Sequence, residues 1–175
     1  MNRTTTRRLA YGGLMAALIA LLTAYVRLDI LFFISMRGYA HLGDVGIVLS
    51  SLVMGPFAAV PAALGSAIAD LLAGYVTYAP FTLVIKGVMG FVLGKWLVAK
   101  RLSVRNICLL VLTAAFMVGA YFLTDTLLYG VEAAIGSVFG NCVQGGAMVA
   151  GGIVLLPIYC SLPESVRGRD DKKGA

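Results

Sequence analysis

GYAHLGDVGIVLSSLVMGPFAAVPAALGSAIADLLAGYVTYAPFTLVIKGVMG, running from Gly38 to Gly90, decides how the rest of the chain is read. It is long, apolar and rich in Gly and Ala. Yet it carries His41, Asp44, Asp70 and Lys86, with Tyr39, Tyr75 and Tyr78 beside them. Ionisable groups at membrane depth are costly, so they face a protein interior or a water-filled cavity. The stretch therefore reads as half of a small-molecule pocket inside a membrane protein.

Composition agrees. Of 175 residues, 60% are hydrophobic and 13% charged, against about 25% charged in a soluble domain. The net charge of +6 sits at the ends of apolar runs, as topology signals do. It forms no basic patch on a soluble fold, so nucleic acid is not an expected partner. Cys108, Cys142 and Cys160 lie within apolar runs at no metal-like spacing and read as small hydrophobes. One His, no GxSxG and no nucleotide-binding loop leave no catalytic site, no metal site and no cofactor to expect. A transporter without an ATPase motif is passive, ion-coupled or energised by a partner.

The expected architecture is an all-α integral membrane protein: a compact bundle of six transmembrane helices, with a partly ordered loop or hairpin between helices 1 and 2. The chain reads as a single membrane domain over 1–175, embedded over about 9–162, with 1–8 and 164–175 as tails. The first span is Leu9–Val26, longer than the ~7–15-residue core of a signal peptide. Leu28–Gly43 is the surface connection. As one helix, Asp44–Gly74 would reach about 45 Å, beyond a ~30 Å core. Gly55-Pro56 divides it into Asp44–Met54 and Pro56–Leu72, with Asp44 suited to cap the first. Gly74–Ala79 is a loop, Pro80 opens a fourth span ending near Trp96, Asn106–Thr124 is the fifth, and Asp125–Glu132 connects to a sixth ending near Pro157–Leu162. Charge tests this count. With both termini cytoplasmic, eleven of the 14 basic residues lie inside, Arg27 and Arg37 outside, and Lys86 in the membrane. A single span over Asp44–Gly74 would place the basic run Lys95–Arg105 outside, against the positive-inside rule.

Polar groups converge on the outer half: Tyr39, His41, Asp44, Asp70, Tyr75, Tyr78 and Lys86. Each has a plainer role open to it. Lys86 could snorkel or pair with Asp44 or Asp70, and the tyrosines could form an interfacial belt. On the sixth span Asn141 and Gln144, at i and i+3, share a face and offer amides to a heterocycle or to a neighbouring helix. Tyr121 and Asp125 form an i, i+4 pair near the outer end of the fifth. In the first span Gly12, Ala16 and Ala20, like Gly13 and Ala17, are spaced by four. Such spacing admits close helix approach, within the bundle or onto another membrane subunit.

GYAHLGD at Gly38–Asp44, the Gly55-Pro56 turn, LGSAIADLLAGY at Leu64–Tyr75 and APFTLVIKGVMG at Ala79–Gly90 resemble the substrate-binding S-components of energy-coupling factor (ECF) vitamin transporters, in the riboflavin-type subgroup. The similarity covers roughly Leu9–Leu162. It implies a multi-pass protein of the cell membrane, surrounded by lipid, that binds a water-soluble vitamin or precursor from outside. It implies delivery inward with a transmembrane coupling protein and two cytoplasmic ATPases, with Gly12, Ala16 and Ala20 docking onto the coupling protein. Leu28–Gly43 and Gly74–Ala79 would act as lids. The ligand expected is a flat nitrogen heterocycle such as riboflavin, pyridoxine or the thiamine pyrimidine. Its contacts would be the tyrosines, Lys86, Asn141 and Gln144. The competing reading is a stand-alone secondary transporter of a small polar metabolite, disfavoured by the lack of a visible inverted repeat.

Overall fold

The computed structural model of the chain describes residues 3–28, 40–98, 102–163 and 167. Its regular structure is helical apart from one two-residue ladder. The helices are α1 (Arg3–Tyr25), α2 (Gly43–Met54), α3 (Ala59–Leu72), α4 (Ala79–Trp96), α5 (Val104–Tyr129) and α6 (Val131–Ser161). Five helical stretches are long and apolar enough to cross a membrane: Thr5–Tyr25, Gly43–Leu72, Ala79–Trp96, Val104–Tyr129 and Val131–Ser161.

The second of these stretches is not straight. Gly55 adopts φ 60°, and a 3-10 turn over Gly55–Ala58 with Pro56 in its first turn separates α2 from α3. The contacts of α4 show what the turn does. Along α4, Lys86, Gly90 and Gly94 meet Asp44, Ser51 and Gly55 in ascending order. The same helix, from Gly87 to Gly90, meets Ala63 and then Ala58 in descending order. So α2 runs parallel to α4, α3 runs antiparallel to it, and the chain reverses at Gly55. Asp44 and Asp70 therefore lie at the same end of the bundle. The break falls where Gly55-Pro56 places it, although α3 starts at Ala59 rather than Pro56.

Absent side chains hold the helices together. A Cβ on Gly94 would come 2.0 Å from the Gly55 carbonyl oxygen, and one on Gly65 would come 2.5 Å from that of Ala16. Small residues let backbones approach this closely, which supplies the packing contacts that the hydrophobic effect does not provide between helices in lipid. The core forms around α2, which touches α1, α4 and α6; Ile19, Ile47, Val48, Leu52, Met89, Leu93, Met117 and Met148 are fully or almost fully buried there.

Three expectations about element ends need correction. First, α1 begins at Arg3, not Leu9. Arg is a good helix former, and Arg7 and Arg8 stack on Tyr11 and Phe57, at 5.4 and 4.8 Å from the ring centroids. Second, the expected connection Asp125–Glu132 is helical except at Gly130. There φ is 88°, the left-handed conformation that suits glycine after a helix. Asp125 stays within α5 because Tyr78 and Ser137 satisfy its carboxylate. Third, Asp44 caps nothing. Leu42 holds the cap position, no side chain bonds there, and Asp44 lies in the first turn.

Of the connection between α1 and α2, the described part is its base: Arg27–Leu28 pairs antiparallel with Ala40–His41. Between α4 and α5, the buried Asn106 side chain accepts from the Val98 N–H (3.2 Å) and donates to the Val98 carbonyl (2.8 Å). The start of α5 is capped by Ser103, which accepts from the Asn106 N–H.

Candidate functional site: a buried polar cluster between α2, α4, α5 and α6

The first turn of α2 delivers Asp44 into the bundle, and the middle of α4 delivers Lys86. Lys86 Nζ donates to Asp44 Oδ1 at 2.6 Å, with both side chains 1% exposed. Gln144 of α6 donates through Nε2 to Asp44 Oδ2 at 2.7 Å. Thus both carboxylate oxygens are bonded, by helices 42 and 100 residues away in sequence. Desolvating two ions costs several kcal/mol each, and their attraction compensates only when the remaining lone pairs are also satisfied. Gln144 meets that condition. Met117 of α5 closes the cluster from the other side, its sulfur 3.2 Å from Lys86 Nζ and 3.3 Å from Gln144 Nε2. The Tyr121 ring, one turn further along α5, lies 5.3 Å from the same ammonium, within cation–π range.

Above this centre the polar groups continue toward the α3–α4 loop. The hydroxyls of Thr82 and Tyr121 are 3.0 Å apart, and Asp70 lies beside Thr82. Asp70 is 9% exposed, and its Oδ2 has no partner among the described residues. His41, buried at the base of the ladder, accepts the Gly43 N–H on Nδ1 at 3.1 Å and sits near Asp44. At the rim, the Tyr78 hydroxyl donates to Asp125 Oδ1 at 2.5 Å, and Ser137 of α6 donates to Oδ2. Burial first, and then this bond to a carboxylate, push the Tyr78 hydroxyl well above the usual tyrosine range, so it stays protonated. Tyr75 stands edge-on to Tyr78 at 6.0 Å, and the Tyr129 ring lies 5.9 Å from Tyr78.

Of the residues singled out from sequence, Asp44, Lys86, Gln144, Tyr121, Asp70 and His41 share one continuous cluster. Tyr75 and Tyr78 form its rim. Asn141 is half-buried on α6, one turn from Gln144, and its side chain makes no hydrogen bond to the described residues. Tyr39 lies outside the described residues. Sequence reasoning passed over Thr82, Met117 and Ser137. Thr82 precedes Lys86 by four residues and Met117 precedes Tyr121 by four, so helical spacing from the polar residues could have found them.

The α1 stripe divides. Ala20 is buried, the Ala16 backbone abuts Gly65 of α3, and Gly12 lies near the Met54 side chain. These three positions serve contacts inside the bundle. Gly13 and Ala17, one residue on, are exposed, and a Cβ on Gly13 would meet nothing within 4 Å.

A helical chain with membrane-length apolar stretches and a polar cluster buried between them has the form of a multi-pass transport protein. The comparisons name the family: the chain belongs to the ECF-type riboflavin transporter S-component family, whose profile matches residues 3–162. It is 35% identical over 121 residues to a Pyrococcus woesei protein described as an uncharacterized protein in a gap 3′ region, covering 67% of this chain and 80% of that one. It is 34% identical over 126 residues to the thiamine precursor transporter HmpT of Lactococcus lactis subsp. cremoris, covering 69% of this chain and 67% of that one.

Proposed function

We propose that the chain is the substrate-binding S-component of an ECF importer. It takes a water-soluble vitamin or vitamin precursor from outside and delivers it inward through a transmembrane coupling protein driven by two cytoplasmic ATPases. It supplies binding and no ATPase of its own. The observation that carries this reading is the buried polar cluster that runs from the Asp44–Lys86–Gln144 network to the open Asp70 oxygen in a chain of this family. Apolar walls with a few fixed polar groups suit small ligands. The ligand is a nitrogen heterocycle: riboflavin, pyridoxine or the thiamine pyrimidine. The thiamine-precursor name of the Lactococcus relative makes the pyrimidine the first to test.

In this reading α2 and α3 are two short spans, giving six, with both termini cytoplasmic. Tyr39, His41, Asp70, Tyr75, Tyr78, Tyr121 and Asn141 face the ligand around the central cluster. The coupling protein docks on α1 along the small-residue stripe of Gly12, Ala16 and Ala20, with the exposed Gly13 and Ala17 beside it.

The test is to purify the protein in detergent and identify what co-purifies by mass spectrometry of the denatured sample. The ligand-free form is then titrated with the three heterocycles. A near-stoichiometric heterocycle is expected, with uptake in vesicles only when the coupling protein and ATPases are present. Uptake by the chain alone would instead mark a secondary transporter.

A further inference from the structure

We infer that Asp70 is the specificity-determining residue of the site and selects nitrogen heterocycles that carry an exocyclic amino group. The inference rests on the vitamin-binding reading and narrows it. Asp44 and Lys86 neutralise one another, and both Asp44 oxygens are occupied. That pair is closed and has little left to offer an arriving ligand. Asp70 is different. It is buried on α3 beside Thr82, and its Oδ2 has no partner among the described residues. A buried polar atom without a partner is rare in folded proteins and calls for an explanation. Ionised, the Asp70 carboxylate is acceptor-only, so what completes it in that state donates.

Its surroundings specify the donor further. Thr82, beside Asp70, is 3.0 Å from the Tyr121 hydroxyl, and the Tyr121 ring is the aromatic surface beside Lys86. A flat ring lying near Tyr121 with an amino group on its edge would meet the free Asp70 oxygen. A carbonyl oxygen in place of that amino group would set acceptor against acceptor at Oδ2, leaving two desolvated atoms unpaired. The half-buried Asn141 amide both donates and accepts. It therefore reads the ring's other edge without imposing the same polarity.

The experiment compares two probes on the purified full chain by calorimetric titration: the thiamine aminopyrimidine, and its counterpart with oxo in place of the amino group. The unmodified chain should bind the amino form about 10- to 100-fold more tightly, the range expected for a hydrogen bond to a charged group. Asp70→Asn, whose amide can donate to a carbonyl, should remove or invert that preference. The same comparison on the unmodified chain stands even if the variant does not fold. Equal binding of both probes by the unmodified chain, or an unchanged preference in a folded Asp70→Asn, overturns the role of Asp70 while leaving the S-component reading in place. Binding of neither probe, with riboflavin bound instead, likewise overturns it alone. Failure to bind any heterocycle overturns both readings.

Discussion

Lys86 Nζ and Asp44 Oδ1 are 2.6 Å apart, with both side chains 1% exposed, and this pair ties the start of α2 to the middle of α4. Removing one partner strands the other charge. Lys86→Met or Asp44→Leu should each destabilise the protein by about 3–5 kcal/mol, whereas the double variant should recover most of that loss. Denaturant unfolding in detergent measures the cycle. Additive losses in the double variant would mean that the pair is not the unit of stability.

The reversal at Gly55 depends on the absence of a side chain at Gly94. Gly94→Ala places a methyl 2.0 Å from the Gly55 carbonyl oxygen, a backbone atom that cannot rotate away. The cost should reach or exceed the upper end of the ~1–3 kcal/mol typical of overpacking. Gly13→Ala, with nothing near its Cβ, should be neutral or stabilise by up to about 1 kcal/mol through helix propensity. Melting temperatures of the two variants side by side decide the matter.

At the rim the prediction concerns alkaline pH. Tyr78 titrates higher in the folded protein than its ordinary value of 10.0, through burial and the bond to Asp125. Above pH 10 the unfolded chain loses this proton first, so unfolding releases protons and stability falls as pH rises. Tyr78→Phe removes that contribution. Its stability profile should be flatter than that of the unmodified chain above pH 10 and parallel to it at neutral pH. Unfolding midpoints at a series of pH values test this, and parallel profiles throughout would refute it.

Asn141 and Gln144 share a helical face but should behave differently. The Asn141 side chain makes no hydrogen bond to the described residues, so Asn141→Ala should leave the melting temperature nearly unchanged and weaken ligand binding by about tenfold. Gln144→Ala leaves Asp44 Oδ2 without its donor and should lower both. Titration and thermal unfolding on the same preparations separate the effects. An Asn141→Ala protein that binds normally would remove Asn141 from the site.

Docking can be separated from binding on α1. Ala17→Leu enlarges an exposed position and should abolish co-purification with the coupling protein while leaving heterocycle affinity within about twofold, since surface substitutions perturb the fold little. Retained assembly would move the interface off this face.

Much of the fold was legible in the sequence because it is written in strong, local signals. Apolar runs of membrane length, Gly55-Pro56 within one of them, Pro80 at a helix start and the placement of lysine and arginine each act over a few residues. The ends were harder to read. Asp125 looks like a loop residue until Tyr78 and Ser137 are seen to bind it. Asp44 looks like a cap until Lys86 and Gln144 are found on it. In both cases a partner brought by another helix replaces the water or backbone group that local reasoning assigns.

That the protein is helical and membrane-embedded, with the few ionisable residues of its apolar runs gathered near one end, follows from residue chemistry alone, because the cost of charge in an apolar environment acts residue by residue. How those charges divide depends on the packing of the helices, which closes Asp44 and Lys86 upon each other and leaves one oxygen of Asp70 open. That packing also decides which small residues of α1 are used within the bundle and which remain free. Pairing depends on the register of α2, α3 and α4 across the turn at Gly55. A shift of one residue in that register turns a side chain by about 100° around its helix, and the spacing along one chain does not fix it.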